Sequence, residues 1–180
     1  MNLLHEVPSG KKEEINVIIE INKGSKNKYE IDKKTGLIAL DRVMYTAQDC
    51  PFDYGFVPQT LWDDGDALDV IVLTTYPLFP SLLVRVRPVA LLDMVDSGEG
   101  DVKIIAVPVD DPRWNDVKDL KDLNKHTLKE MEHYFTTYKK LQKKEVLVKG
   151  FKNKAEAEKA FAKAQKMYLE TKISKNLAAL

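Results

Sequence analysis

Residues 15–21, Ile-Asn-Val-Ile-Ile-Glu-Ile, are β-branched and partly alternating, and predict a strand holding one charge, Glu20, among apolar neighbours. A run of loop formers, Asn22–Asn27, separates it from Lys28–Asp32, where Tyr29 and Ile31 face one side and Lys28, Glu30 and Asp32 the other. A Lys-Thr-Gly turn then leads into another strand, Leu37–Val43. Residues 44–62 hold Pro51, Pro58, Gly55 and five aromatics, and predict a packed irregular segment with short extended pieces. Beyond an acidic stretch comes the apolar strand Val70–Leu73, then a proline-punctuated bend, Tyr76–Pro80. A long apolar run, Leu82–Met94, is broken by Arg85 and Arg87 on one face. Asp93, Asp96, Glu99 and Asp101 crowd a loop with Gly98 and Gly100, ahead of a strand over 102–107.

The last third changes period. Leu128, Met131, Tyr134/Phe135, Tyr138 and Leu141 recur at the spacing of a helix with one buried stripe, running from Asn124 to Lys144. A strand follows at 145–149. Asn153 with Glu156 resembles a capping box, opening an alanine-rich helix to about Thr171 and a frayed tail, 174–180. Many short strands followed by two helices predict an α+β domain over residues 1–180, its strands forming a small closed or nearly closed barrel.

Composition narrows the function. Lys+Arg and Asp+Glu balance at 28 each in 180 residues, so no global field recruits nucleic acid or an anionic membrane. The single cysteine, Cys50, excludes an intramolecular disulfide and suits packing in a reducing compartment. No stretch approaches the ~20 apolar residues of a membrane span, and the N-terminus lacks a signal-peptide pattern, so a cytoplasmic location is expected.

Asp63, Asp64, Asp66 and Asp69 place four carboxylates within seven residues, around Gly65 and against an apolar strand. Their mutual repulsion is relieved if a hard cation such as Mg²⁺ or Ca²⁺ sits among them. An EF-hand is a poor fit, because its glycine and twelfth-position glutamate fall on Asp69 and Thr75. Spacing alone leaves a plain acidic turn and another kind of metal site open. Acids at Glu20, Glu30, Asp96 and Asp101, cations at Lys28, Arg42, Lys103 and Lys139, and phenols at Tyr54 and Tyr138 make up the set that phosphoryl transfer uses. Two other readings compete. A nucleic-acid-binding module would stack bases on Tyr29, Tyr54 and Phe56, and a Ca²⁺-binding module would leave the cations unexplained. His5, His126 and His133 read as terminal or helix-surface residues.

Seven ordered segments carry a family resemblance: Ile-Glu20-Ile, Lys28-Tyr-Glu30-Ile-Asp, Asp41-Arg42, Pro51-x-x-Tyr54-Gly55, Asp64-Gly-Asp66-x-x-Asp69-Val, Asp96-x-x-x-x-Asp101-x-Lys103 and Tyr138-Lys139. Over about residues 13–150 the chain resembles the soluble family I inorganic pyrophosphatases of the short prokaryotic type. The resemblance implies a five-stranded OB-like barrel flanked by helices, a homohexamer, and Mg²⁺-dependent hydrolysis of pyrophosphate, with Mn²⁺ or Zn²⁺ able to substitute. It implies that Asp64, Asp69 and Asp101 hold a first ion and that Asp69 is shared with a second. A water bridging the two would attack, and Asp66 would accept its proton. Asp96 and Asp101 would help bind further ions, while Glu20 and Glu30 act through water. Lys28, Arg42, Tyr138 and Lys139 would grip phosphate, and Lys103 and Tyr54 would complete the site. Two positions depart from the family pattern: Ala67 stands where proline is common, which costs loop rigidity, and Cys50 stands where tyrosine is frequent, which removes one hydroxyl.

Overall fold

The computed structural model describes the backbone of residues 2–178 and side chains through Ser174. Among the described residues there are nine strands: β1 (Gly10–Lys11), β2 (Glu14–Ile21), β3 (Asn27–Ile31), β4 (Ile38–Val43), β5 (Asp53–Phe56), β6 (Asp69–Val72), β7 (Leu83–Asp96), β8 (Glu99–Pro108) and β9 (Val146–Asn153). The helices are α1 (Lys125–Thr137) and α2 (Lys154–Ala178). The sheet order is β1-β2-β5-β6-β8-β7-β9, and β2 also pairs with β7. That extra pairing closes β2, β5, β6, β8 and β7 into a five-stranded barrel. β6 and β8 run parallel, and the other pairs in the ring are antiparallel. β3 and β4 form a separate hairpin.

The near-continuous apolar runs follow from burial on both faces. Ile71, Ile105, Val107 and Leu92 pack with Met131, Tyr134, Phe135 and Tyr138 of the α1 region. Their neighbours Val70, Val72, Ile104, Ala106 and Leu91 pack under α2, against Ala157, Ala160, Phe161 and Ala164. Pro88, which lacks an N–H, sits inside β7 where the ladder with β8 shifts register. At Gly55 the β5 backbone closes on β2: an added Cβ would lie 1.9 Å from the Ile18 carbonyl oxygen. The β2 ladder shifts there between Ile19 and Ile21, which leaves Glu20 on a bulge.

Several boundaries differ from the sequence reading. The acidic residues around Gly98 lie not on a loop but at the tip of the long β7–β8 hairpin, where Asp96 pairs with Glu99. Ser97 and Gly98 both have positive φ (54° and 92°), the requirement of a two-residue type I′ turn. α1 ends at Thr137 rather than Lys144; a 3₁₀ turn over Lys140–Gln142 and left-handed Lys143 redirect the chain into β9. Leu141, assigned to the buried stripe, is therefore exposed. β9 extends to Asn153, whose Oδ1 accepts from the Glu156 N–H, while the Glu156 side chain pairs with Lys159. α2 continues through the segment expected to fray as far as Ala178, and residues 179–180 lie outside the described residues.

Candidate active site

The acidic stretch precedes β6 as a tight loop. Gly65 takes φ 82°, the Asp64 carboxylate accepts from the Asp66 N–H (3.0 Å), and the Trp62 N–H donates to the Asp66 carbonyl (2.7 Å). Its four acids divide. Asp63 turns away to Lys163 of α2 (2.7 Å), whereas Asp64, Asp66 and Asp69 face one cavity of about 230 Å³.

Barrel register supplies the centre of that cavity. Parallel pairing sets Asp69 of β6 opposite Lys103 of β8, and strand alternation puts Asp101 on the same face. Lys103 Nζ donates to Asp69 Oδ2 (2.8 Å) and to both Asp101 oxygens (3.0 and 2.9 Å), over the rings of Tyr54 and Phe135. Burial pulls this ammonium down, but the two carboxylates more than offset it and hold the group above the usual lysine range. Burial also pushes Asp101 up to about 6, against the opposing pull of Lys103. Tyr54 is raised well above the phenol range by burial and by Asp69 and Asp101.

The remaining groups arrive from other elements. Glu20, on the β2 bulge, accepts from the Ile31 N–H (2.8 Å) and so ties the β3–β4 hairpin to the barrel. Burial, reinforced by Asp69, pushes its carboxyl up to about 8. Lys28 pairs with Glu30 and lies 3.6 Å from Asp41; burial and the neighbouring Arg42 lower it. Lys139, just past α1, pairs with Asp96 at the β7 tip; burial acts upward on Asp96, but this bond holds it below the ordinary carboxylate range. Tyr138 is buried beside them, and burial raises its phenol.

Of the residues singled out from the sequence, Glu20, Lys28, Glu30, Tyr54, Asp64, Asp66, Asp69, Asp96, Asp101, Lys103, Tyr138 and Lys139 all line this cavity. Arg42 does not. It lies opposite Lys28 on the hairpin and pairs with Asp41, and its Nε is buried without a hydrogen-bond partner. Lys33 was missed. Its Nζ reaches the Gly65 carbonyl (3.2 Å) and pairs with Asp66, yet in the sequence it belongs to an ordinary Lys-Lys-Thr-Gly turn. The base-stacking surface is not formed, because Phe56 is in the core and Tyr54 lies under Lys103.

Seven carboxylates (Glu20, Glu30, Asp64, Asp66, Asp69, Asp96, Asp101) face four lysines (Lys28, Lys33, Lys103, Lys139) across the lining. Among the described residues no three His, Cys, Asp or Glu side chains stand close enough to grip a metal as they lie, and Lys103 Nζ bridges Asp69 and Asp101. The donor set nevertheless fits a hard divalent cation. All its acids offer oxygen, and Glu20, Asp64 and Asp101 are held above their ordinary range, as under-compensated carboxylates are.

A family model described as inorganic pyrophosphatase matches residues 17–169. The chain belongs to the inorganic pyrophosphatase family. It is 54% identical over 144 residues to the inorganic pyrophosphatase of Leifsonia xyli, covering 79% of this chain and 88% of that protein. The Picrophilus torridus inorganic pyrophosphatase is 42% identical over 170 residues, covering 93% and 96%. Among solved structures, the inorganic pyrophosphatase from Thermus thermophilus superposes with a TM-score of 0.90 at 42% identity, covering 93% of this chain and 99% of that one. The Helicobacter pylori inorganic pyrophosphatase gives 0.88 at 45% identity, covering 91% and 99%. These pyrophosphatase relatives agree with the barrel and two C-terminal helices described above.

Proposed function

We propose that this chain hydrolyses inorganic pyrophosphate to two orthophosphates in a Mg²⁺-dependent reaction, with Asp66 as general base and no covalent intermediate. The carrying observation is the convergence of seven carboxylates and four lysines on one cavity, whose lining contains no serine, threonine, cysteine or histidine. Asp64, Asp69 and Asp101 would hold one ion and Asp69 part of a second, Asp96 and Asp101 would serve further ions, and Glu20 and Glu30 would act through water. When bound, Mg²⁺ offsets phosphate charge and makes a nearby water more acidic. Mn²⁺ or Zn²⁺ would substitute.

The protein groups divide the remaining work by position. The Asp66 side chain is far more open to solvent than that of Asp69, so a proton it accepts from the attacking water has a path to bulk solvent. Lys28, Lys139 and the Tyr138 hydroxyl bind phosphate oxygens and steady the departing group, and Arg42, opposite Lys28 on the hairpin but outside the lining, would join them only on leaving Asp41. Lys103, held between Asp69 and Asp101, keeps two ligand carboxylates in place, and Tyr54 shields that contact.

Exposed Leu37, Leu40 and Val43 on and beside β4, with Tyr76 and Phe79 beyond β6, supply apolar surface for a homohexamer. Among the described residues no helix is long and apolar enough to cross a membrane, and we place the enzyme in the cytoplasm.

The test is phosphate release from pyrophosphate with Mg²⁺, comparing the parent with Asp66→Asn. Strong release by the parent and a loss on the order of 10²–10⁴-fold in the variant is the expected result. Equal rates would remove Asp66 from its role; no release by a folded parent would overturn the activity.

A further inference from the structure

A second cavity, of about 560 Å³, lies behind the acidic loop and shares Leu4, Lys33 and Ala67 with the first. Its walls are the N-terminal turn, the segment Thr60–Leu61, the back of the loop at Gly65, and the end of α2 at Tyr168, Thr171 and Lys172. The walls are tied together. Gln59, at φ 54°, donates its backbone N–H to Leu4 (2.9 Å) and its side-chain amide to the His5 carbonyl (3.0 Å). The Leu61 N–H reaches the Ala164 carbonyl (3.0 Å). His5 Nδ1 and the Tyr168 hydroxyl are 2.9 Å apart, and the two rings stack with centroids 5.8 Å apart, giving a flat wall.

The charge here is opposite to that of the catalytic cavity. Among the described residues Lys33 and Lys172 line it, and no carboxylate does. Asp66 pairs with Lys33 from the catalytic side, while Asp63 is engaged by Lys163 and Glu170 by Lys166. We propose that this cavity is a regulatory site for a small phosphomonoester with a planar body. Its phosphate would lie on Lys33 and Lys172, and its ring would lie against the His5–Tyr168 wall. Lys33 links the two cavities, since its ammonium now pairs with Asp66 and holds the Gly65 carbonyl. A phosphate that draws Lys33 backwards breaks its contacts with the acidic loop at Gly65 and Asp66, so the occupant changes the rate of the catalytic cavity. That coupling rests on the catalytic reading above; binding does not.

Calorimetric titration of the full chain with adenosine 5′-monophosphate, in EDTA, separates the two. Without metal the excess carboxylates of the catalytic cavity repel phosphate, so binding reports the second cavity. One ligand should bind per chain, at least ~10-fold more weakly to Lys172→Glu, whose basal pyrophosphate hydrolysis stays at the parent level. Orthophosphate in place of the nucleotide should bind through the same lysine but more weakly, lacking the ring contact. Absence of binding, or binding that Lys172→Glu leaves unchanged, would overturn the site. If the nucleotide binds but leaves the Mg²⁺-dependent rate of the parent unmoved, the coupling through Lys33 falls while the catalytic reading stands.

Discussion

Lys103→Met isolates the charge at the centre of the barrel site. Methionine keeps an apolar stem over Tyr54 and Phe135 and removes only the ammonium. The parent ammonium makes three contacts of 2.8–3.0 Å to two carboxylates, and its side chain is 4% exposed. Each unit pair at about 3 Å is worth ~5 kcal/mol at an effective dielectric of ~20, most of it offset by desolvation. Removing one partner leaves Asp69 and Asp101 facing each other uncompensated, for a net cost of about 3–5 kcal/mol. For a chain of this length that corresponds to a fall in Tm of ~6–20 °C. The assay is calorimetric melting in EDTA and again with millimolar Mg²⁺. A dication bound between the two carboxylates takes over the lost charge, so Mg²⁺ should raise the variant's Tm by more than the parent's. A variant within about 1 kcal/mol of the parent in EDTA would refute the reasoning, as would one that Mg²⁺ stabilises no better than the parent.

Glu20 makes metal-free stability depend on pH. Its carboxyl rises from 4.5 to about 8 on folding, so it favours the folded state fully below about pH 4.5 and loses that contribution as pH rises through 8, by up to ~5 kcal/mol. In EDTA, Glu20→Gln should therefore gain on the parent steadily between pH 5 and 8.5; a difference in Tm that stays flat with pH would contradict this. Gly55→Ala forces a methyl group into the Ile18 carbonyl and should lower stability by at least ~3 kcal/mol in urea unfolding, and a loss under 1 kcal/mol would show that β2 and β5 part easily.

The barrel strands were legible wherever their composition was extreme: the β-branched runs of β2, β6 and β8 are buried on both faces and tolerate little else. β5 was not, because Asp53-Tyr-Gly-Phe has no alternation and becomes a strand only through its two neighbours. The end of α1 escaped for a similar reason. Helical spacing continues to Leu141, but Lys139 meets Asp96 on β7, a contact no local pattern encodes. Most of the site was readable because carboxylates on buried strands are costly unless they serve something. Lys33 hid in a turn where lysine is common, and the departure of Arg42 from the cavity lining depends on how the hairpin lies over the barrel.

The site's dependence on register has a consequence for how the molecule matures. Asp69 meets Lys103 only when β6 and β8, 34 residues apart, are in parallel pairing, and Glu20 joins them only when β2 has met β5. A nascent or partly denatured chain can hold helices and hairpins and still own no cation-binding centre. Recovery of activity should therefore trail recovery of secondary structure on refolding, because the catalytic groups assemble only with the final closure of the ring.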